Sequence, residues 1–362
     1  MSYSLEVPPA KETIRIAVIG CGWIGAFHAR TLAGNLPGVR LEALADPAPG
    51  AAAALAAELG ISKHTTDPAD LFADPDIDGV LIAAPSAVHS ALIIQAAVAG
   101  KHIFCEKPAG HGLEELRTAL DAVERAGVEF QIGFNRRFAS DFAEAKKRIQ
   151  AGDLGEVQLM RSLTRDPGVA EGIANAGRIK PNTIFTETLI HDFDALNWYN
   201  EGARVTEVRA IADALVEPGY REAGLLDTAV VTLRYDNGAI AVAEASFSAL
   251  YGYDVRGEIF GSAGMAVAGN PVQLHSGSYT AAGALAPTSR VNTELFAQAY
   301  RDELAHFARL IAARKGLGEA PTVPTPGAQA AIDALEIALA CVESVRTGAP
   351  VVLERATTGG VL

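Results

Sequence analysis

The sequence predicts an α/β protein of two domains: a doubly wound parallel sheet first, then an α+β domain built on a large, mostly antiparallel open sheet. Three observations predict it. Short β-branched runs alternate with helical runs through the first third of the chain. A glycine-rich turn, Gly20-Cys21-Gly22-Trp23-Ile24-Gly25, follows the first of those runs directly. After about Gly133 the helices thin out and period-two segments take over, two of them flanking the hairpin signal Asp236-Asn237-Gly238. The two domains are drawn at 1–133 and 134–362.

Ile14–Ile19 is bounded by glycine and reads as a buried parallel strand. The glycine turn comes next, then helical Ala26–Ala33, then a second strand, Val39–Ala45, that ends in Asp46. This is GxGxxG set in strand, turn, helix, strand and acid, the arrangement of a Rossmann dinucleotide-binding unit. Gly20 permits the tight turn, Gly22 lets backbone approach a pyrophosphate, and Gly25 lets helix and strand pack closely. The helix N-terminus offers N–H groups and partial positive charge to phosphates. Asp46 lies 21 residues beyond Gly25, the position of an acid that accepts from ribose hydroxyls. Pro47-Ala48-Pro49 follows it, with no Arg or Lys to meet a 2′-phosphate, so NAD is expected over NADP.

The alternation continues through helix Ala51–Leu59, a short helix over Asp67–Ala73 with Asp67 as cap, strand Gly79–Ala84, helix Val88–Ala99, strand His102–Cys105, helix Leu113–Ala126 and strand Val128–Ile132. Ligands of such sheets sit beyond the C-terminal strand ends. Three segments end there: Ala84-Pro85-Ser86, Cys105-Glu106-Lys107-Pro108 and Gly133-Phe134-Asn135-Arg136-Arg137. In the second domain, Asp141–Ala151 reads as a helix. Glu156–Thr164, Val205–Val216, Thr228–Tyr235, Ala239–Ser248, Asp254–Phe260 and Gly264–Ala268 read as strands, and Phe296–Ala313 and Gly327–Thr347 as helices. An open sheet face needs cover, which predicts association of copies through it.

Composition narrows the function. The chain has 362 residues, nearly half of them apolar, enough for two cores. A formal net charge of −13 argues against nucleic acid and anionic membranes as partners, because both need a positive surface. No apolar run is long enough to span a bilayer. Met1–Lys11 lacks the apolar core of a secretion signal and reads as a loose tail, so a cytoplasmic location is expected. The cysteines, Cys21, Cys105 and Cys341, form neither a disulfide framework nor a zinc pattern. The eight histidines contain no HxxxH pair, so no metal site is expected.

Two places carry the chemistry. Lys107, at a strand end on the ligand edge, could hold a substrate hydroxyl and stabilise charge on oxygen; a lysine in such a loop is otherwise a solvated surface group. The second is Phe185-Thr186-Glu187-Thr188-Leu189-Ile190-His191-Asp192-Phe193-Asp194. As a helix it puts Glu187 and His191 at i and i+4 on one face, which Asp194 extends. A histidine beside carboxylates suits proton transfer; the other reading is a hydrogen-bonded histidine of a buried helix. His89 is a further candidate whose plainer role is structural, at a helix start. Arg136, Arg137, Arg165 and Tyr300 are weaker candidates, Arg165 because it closes a strand before Asp166-Pro167.

Taken together these residues resemble the glucose–fructose oxidoreductase / inositol dehydrogenase / rhizopine catabolism (Gfo/Idh/MocA) family. The likeness runs from Ile14 to about Val352 and rests on the glycine turn, Ala84-Pro85-Ser86-Ala87-Val88-His89, Glu106-Lys107-Pro108 and the 187–194 cluster. Gly133–Phe138, Thr164–Pro167 and Ile190–Asp194 look most like inositol 2-dehydrogenases. The resemblance implies Lys107 as catalytic lysine and His191 as acceptor of the hydroxyl proton. The family usually has Asp four residues before that histidine, where this chain has Glu187. Inositol dehydrogenases often carry glycines before this helix, where Lys180-Pro181-Asn182 stands here, and the family's Ala-Ser/Thr-Pro-Asn is Ala83-Ala84-Pro85-Ser86. Homotetramers or homodimers are usual.

The expected function is therefore oxidation of a secondary hydroxyl on a cyclic polyol or sugar by an NAD-dependent dehydrogenase. Lys107, His191 and Glu187 are the catalytic set. Gly20, Gly22, Trp23, Ile24, Gly25, Asp46, Pro85, Ser86, His89, Glu106 and Lys107 are the cofactor set, and Arg165, Asp194, Arg136 and Tyr300 the substrate set. The alternatives are an aldose or sugar-acid dehydrogenase, an NAD-dependent glycoside-cleaving enzyme on the same frame, and a regulator that senses NAD without turnover.

Overall fold

Strand β1 (Ile14–Ile19) is the centre of a six-stranded sheet with β2 (Val39–Ala45), β3 (Lys63–Thr65), β4 (Gly79–Ile82), β5 (His102–Cys105) and β6 (Phe130–Ile132). The order is β3-β2-β1-β4-β5-β6, and every neighbouring pair is parallel. The direction of winding reverses between β1 and β4, which opens a crevice at their C-terminal ends. In this computed structural model, residues 13–34, 36–168, 181–217, 219–270, 278–281 and 283–354 are described. The expected tail, Met1–Lys11, and Lys180 lie outside them.

The crossovers are α1 (Trp23–Ala33), α2 (Ala51–Leu59), α3 (Pro68–Ala73), α4 (His89–Val98) and α5 (Leu113–Ala126). Asp67 caps α3 as expected, accepting from the Ala69 N–H at 2.9 Å, with Pro68 in the first turn. Helix α1 begins three residues before the predicted Ala26, so Trp23 and Ile24 are its first turn rather than part of the loop.

The chain divides into two compact units, Met1–Phe138 with Phe296–Ile332, and Ala139–Leu295 with Asp333–Leu362. The sequence reading put everything after 133 in the second domain; packing returns Phe296–Ile332 to the first. The reason is visible in α10 (Ala297–Arg314), whose Leu304, Phe307 and Ile311 are fully buried in one core with Ile16, Val18, Leu81 and Phe104. Burying these three large side chains contributes roughly 1.5–3 kcal/mol each.

The second unit holds α6 (Ser140–Gln150), β7 (Val157–Arg165), α7 (Ile190–Tyr199), β8 (Val205–Asp213), α8 (Gly219–Glu222), β9 (Thr228–Tyr235), β10 (Ile240–Ser246), β11 (Asp254–Gly261), β12 (Met265–Ala268), β13 (Ser278–Thr280), β14 (Gly283–Leu285) and α9 (Asn292–Leu295). Helix α11 (Ala328–Thr347) starts in the first unit's residues and ends in the second's, before β15 (Val351–Val352). The large sheet runs β12-β11-β7-β10-β9-β8-β15; β7 and β10 are parallel and the other pairs antiparallel. Period two along β7 sends Met160, Ser162 and Thr164 to the buried face, where α7 packs. On the opposite face Ile240, Phe260 and Met265 are exposed among the described residues.

A further element differs from its expectation. The segment read as continuous helix from Phe185 is a π-helical turn, Ile184–Thr188, which gives way to α7 at Ile190. Ile184, Thr186 and Thr188 are β-branched and crowd a regular α-turn, and the turn starts from Asn182 at φ +68°. Single π-turns of this kind concentrate at functional sites. Among the described residues no helix is long and apolar enough to cross a membrane.

Candidate active site

The cofactor-side geometry is built from glycines with distinct tasks. Gly20 has φ +96°, and a Cβ there would stand 2.6 Å from the Ala83–Ala84 peptide. A Cβ on Gly25 would stand 1.9 Å from the Gly20 carbonyl oxygen. Both positions exclude any other residue. Gly22 is different: a Cβ there meets nothing within 4 Å, so the space over the turn is open. Gly22 is also the N-cap of α1 and gives it no side-chain cap. Trp23 projects outward, while Ile24 packs on the core.

Asp46 stands at the end of β2 with its carboxylate held at both oxygens. The Cys21 N–H donates to Oδ2 at 2.7 Å and the Ala48 N–H to Oδ1 at 2.8 Å. One bond per oxygen leaves each a lone pair for a further donor. Burial, and then the charge of Asp46, push the Cys21 thiol up to about 11, so it stays protonated beside the turn at neutral pH.

Two loops close the edge. Pro85 is exposed, and Ser86 lies 3.1 Å from His111 Nε2. His89 is buried behind both loops: Nε2 is 2.7 Å from the Ala84 carbonyl oxygen and Nδ1 2.8 Å from that of Pro108. It ties the two turns together from behind. The Lys107–Pro108 peptide is cis, and Lys107 is half-buried. The Lys107 amide N–H donates to Glu106 Oε2 at 3.2 Å. Glu106 Oε1 in turn accepts from His28 Nε2 at 2.7 Å. A Cβ on Gly133 would sit 3.1 Å from Glu106 Oε2, so that glycine makes room for the carboxylate.

His28, Glu106 and Glu303 are also the one group of three among the described residues with the composition of a metal site. Neither His28 nor Glu303 was singled out by sequence. The signal available was a histidine three residues past the last glycine of the turn and a glutamate in the middle of an apolar helix face. Arg136 and Tyr300, expected at substrate, are both buried in the first unit. Tyr300 lies on α10 with its ring 5.3 Å from Phe27 and 5.7 Å from His28.

In the second unit, His191 and Asp194 are three residues apart on α7, and Glu187 is in the π-turn that leads into it. Glu187 and His191 are partly exposed and Asp194 is buried. What holds α7 is a residue given no role from sequence, Asp192. Ser162 Oγ donates to its Oδ1 at 2.5 Å and Thr164 Oγ1 to its Oδ2 at 2.7 Å, both from the buried face of β7. Two hydroxyls on the inward positions of a strand were the available signal. Arg165 is not brought to this helix. It alternates to the open face, where it donates to Glu244, and its hydrogen bonds to Glu244 and then to Tyr251 hold its charge.

Residues 14–134 match the model of an oxidoreductase family with an NAD-binding Rossmann fold, and residues 142–267 match the GFO/IDH/MocA C-terminal domain. A Bacillus subtilis (strain 168) protein, scyllo-inositol 2-dehydrogenase (NAD(+)), is 37% identical over 356 residues, covering 96% of this chain and 99% of that one. This chain belongs to the Gfo/Idh/MocA family. A second member, myo-inositol 2-dehydrogenase from Thermotoga maritima, is 38% identical over 71% of this chain and 75% of its own. The structure of scyllo-inositol dehydrogenase from Lactobacillus casei, with bound NAD(H) and scyllo-inositol, superposes at TM-score 0.86 with 29% identity, over 94% of this chain and 99% of that one.

The family's dinucleotide fits the residues present. The open space over Gly22 and the uncapped start of α1 would take the pyrophosphate, and the pinned carboxylate of Asp46 would take the ribose hydroxyls. Asp46→Ala is expected to weaken NAD roughly 10- to 100-fold, the loss of one or two hydrogen bonds to a charged group. It should also narrow the preference over NADP, because the carboxylate that repels a 2′-phosphate is gone. Steady-state kcat/KM with both cofactors checks this; an unchanged ratio removes Asp46 from cofactor choice.

Proposed function

We propose that this family member oxidises a secondary hydroxyl of an inositol-type cyclic polyol to the ketone. The observation that carries the reading is Lys107, half-buried at the end of β5 with its backbone held by Glu106, on the same sheet edge as the open glycine turn. Bound NAD supplies the hydride acceptor. Lys107 holds the reacting hydroxyl and offsets charge on its oxygen. His191 takes the hydroxyl proton, and Glu187 orients the imidazole. Asp192 fixes the helix that carries His191 and is a positioning residue. The relatives' substrates, scyllo- and myo-inositol, support a six-membered polyol rather than an open-chain one.

A screen of inositols, pyranoses and sugar acids by NADH absorbance, with NAD and NADP side by side, tests this reading. Turnover of at least one inositol with NAD is the expected result. Turnover confined to aldoses or sugar acids, or release of free sugar without net NADH, replaces it with one of the other reactions on this frame.

The open face of the large sheet supports association of copies. Register aligns Ile240, Leu159, Phe260 and Met265 in one row across β10, β7, β11 and β12. Ile240, Phe260 and Met265 of that row are 47%, 47% and 55% exposed. Such a row is a covered surface in an assembly. Phe260→Glu with Ile240→Lys is expected to halve the mass measured by light scattering after size exclusion, or to reduce it further. An unchanged mass moves the interface elsewhere. All three cysteines are free thiols, which suits the reducing cytoplasm.

A further inference from the structure

Three ionisable side chains from three separate elements meet inside the first unit. His28 is on α1, Glu106 ends β5 and Glu303 is on α10; their ligating atoms all lie within 4.8 Å of one another. The residues are 0%, 7% and 0% exposed. His28 Nε2 and Glu106 Oε1 are 2.7 Å apart. His28 Nδ1 and both carboxyl oxygens of Glu303 have no hydrogen-bond partner among the described residues. The groups around them are Cys105 and Lys107 on either side of Glu106, Tyr300 one turn before Glu303, and Gln131, whose amide donates to the Glu303 carbonyl at 2.9 Å. Buried Arg136 and Arg137 lie on the turn after β6 that packs on α10.

Two carboxyl groups this close in a buried site do not both ionise. Glu106 has the donors, His28 Nε2–H and the Lys107 amide. Burial alone would raise Glu106, but the hydrogen bond and charge of His28, with Lys107, outweigh it and hold the carboxyl below its usual range. Glu303 has no donor among the described residues. Burial, and then the negative charge of Glu106, raise it well above the usual range. A divalent ion is the rival occupant. Ligand atoms at the zinc distances of 2.0–2.2 Å stand roughly 3.4 Å apart in a tetrahedral site. The 2.7 Å contact between His28 and Glu106 is that of a hydrogen bond instead.

We propose that His28 and Glu303 are positioning residues for Lys107: Glu303 keeps its proton so that Glu106, bonded by His28, stays a carboxylate and anchors the Lys107 backbone. This rests on the reading of Lys107 as the group that touches the reacting hydroxyl. The triad adds no chemical step; it sets where the ammonium group begins its reach.

The test uses the NAD-bound protein. Isotope-edited infrared spectra of wild type against Glu303→Gln should show a protonated carboxylic acid band at pH 8 that the variant lacks. Carboxylate bands alone overturn the proposal. Thermal unfolding gives a second reading. A group whose folded pKa is raised contributes stability that is present below its unfolded value and lost as pH rises toward the folded one. Glu303→Gln should therefore unfold at higher temperature than wild type at pH 8, with the gap closing toward pH 5. A gap that does not change with pH counts against it.

His28→Leu should lower kcat about 30-fold, the loss of one hydrogen bond to a charged group, and shift the acid limb of the kcat–pH profile upward, with KM for NAD nearly constant. His28→Gln, which keeps an N–H donor, should restore most of kcat. Equal losses in both variants with an unmoved profile mean packing alone and overturn the positioning role. A stoichiometric divalent metal in the purified protein overturns it as well. If wild type turns over no polyol, the functional reading fails while the infrared result still decides the proton.

Discussion

Lys107→Met is expected to lower kcat by about 10³-fold, equivalent to about 4 kcal/mol of transition-state stabilisation, and to leave the Kd for NAD within a few-fold of wild type. Methionine keeps the length of the side chain and removes its charge, so the loss isolates the ammonium group. His191→Asn is expected to have an effect of the same size, because on the proposed mechanism it removes the acceptor of the hydroxyl proton. On the proposed mechanism the double variant should fall only slightly below either single one, since losses in one chemical step do not add. Stopped-flow formation of NADH measures the chemical step directly, and quenching of Trp23, exposed on the first turn of α1, reports cofactor binding. Full activity in either single variant removes that residue from the mechanism. Loss of NAD binding in Lys107→Met would make it a cofactor ligand first.

Gly25→Ala and Gly22→Ala separate folding from binding. The Cβ at residue 25 would stand 1.9 Å from the Gly20 carbonyl oxygen and 3.3 Å from Ala83 Cβ. Gly20 cannot retreat, because it is itself pressed against the Ala83–Ala84 peptide. Overpacking of this kind costs roughly 3 kcal/mol, a fall of several degrees in Tm, and NAD affinity should drop more than 100-fold as the turn deforms. At Gly22 the same methyl group meets no protein atom and the backbone has φ −66°, ordinary for alanine. Gly22→Ala should keep the wild-type Tm within about 1 °C and still weaken NAD tenfold or more, because the methyl group occupies the approach of the pyrophosphate. Calorimetry and NAD titration of the two variants give the contrast. Equal losses of Tm in both would mean that the space over Gly22 is not where the cofactor lies.

Much of the first unit was legible because its signals are local. A strand, a GxGxxG turn, a helix start and an acid at the next strand end are properties of adjacent residues, and the structure places Gly20, Gly22, Gly25 and Asp46 as the spacing implied. The hairpin over Asp236–Gly238 and the strands on either side followed from turn chemistry in the same way. The π-turn at Ile184–Thr188 was not legible, since the 187/191/194 spacing suits an α-helix and nothing in it announces a wider turn. Arg165 was misleading for a related reason: a strand-end arginine reads the same on either sheet face, and only the register shows that it points away from α7.

Motif and spacing by themselves determined the dinucleotide-binding unit at the start of the chain and singled out Lys107 and His191 as candidates, because those features depend on neighbours along the chain. Tertiary structure alone decided that α10 belongs to the first core, that Asp192 is anchored by Ser162 and Thr164, and that His28, Glu106 and Glu303 form one buried cluster. Those depend on residues between about 30 and 300 positions apart, whose protonation and packing are set by who else is buried with them.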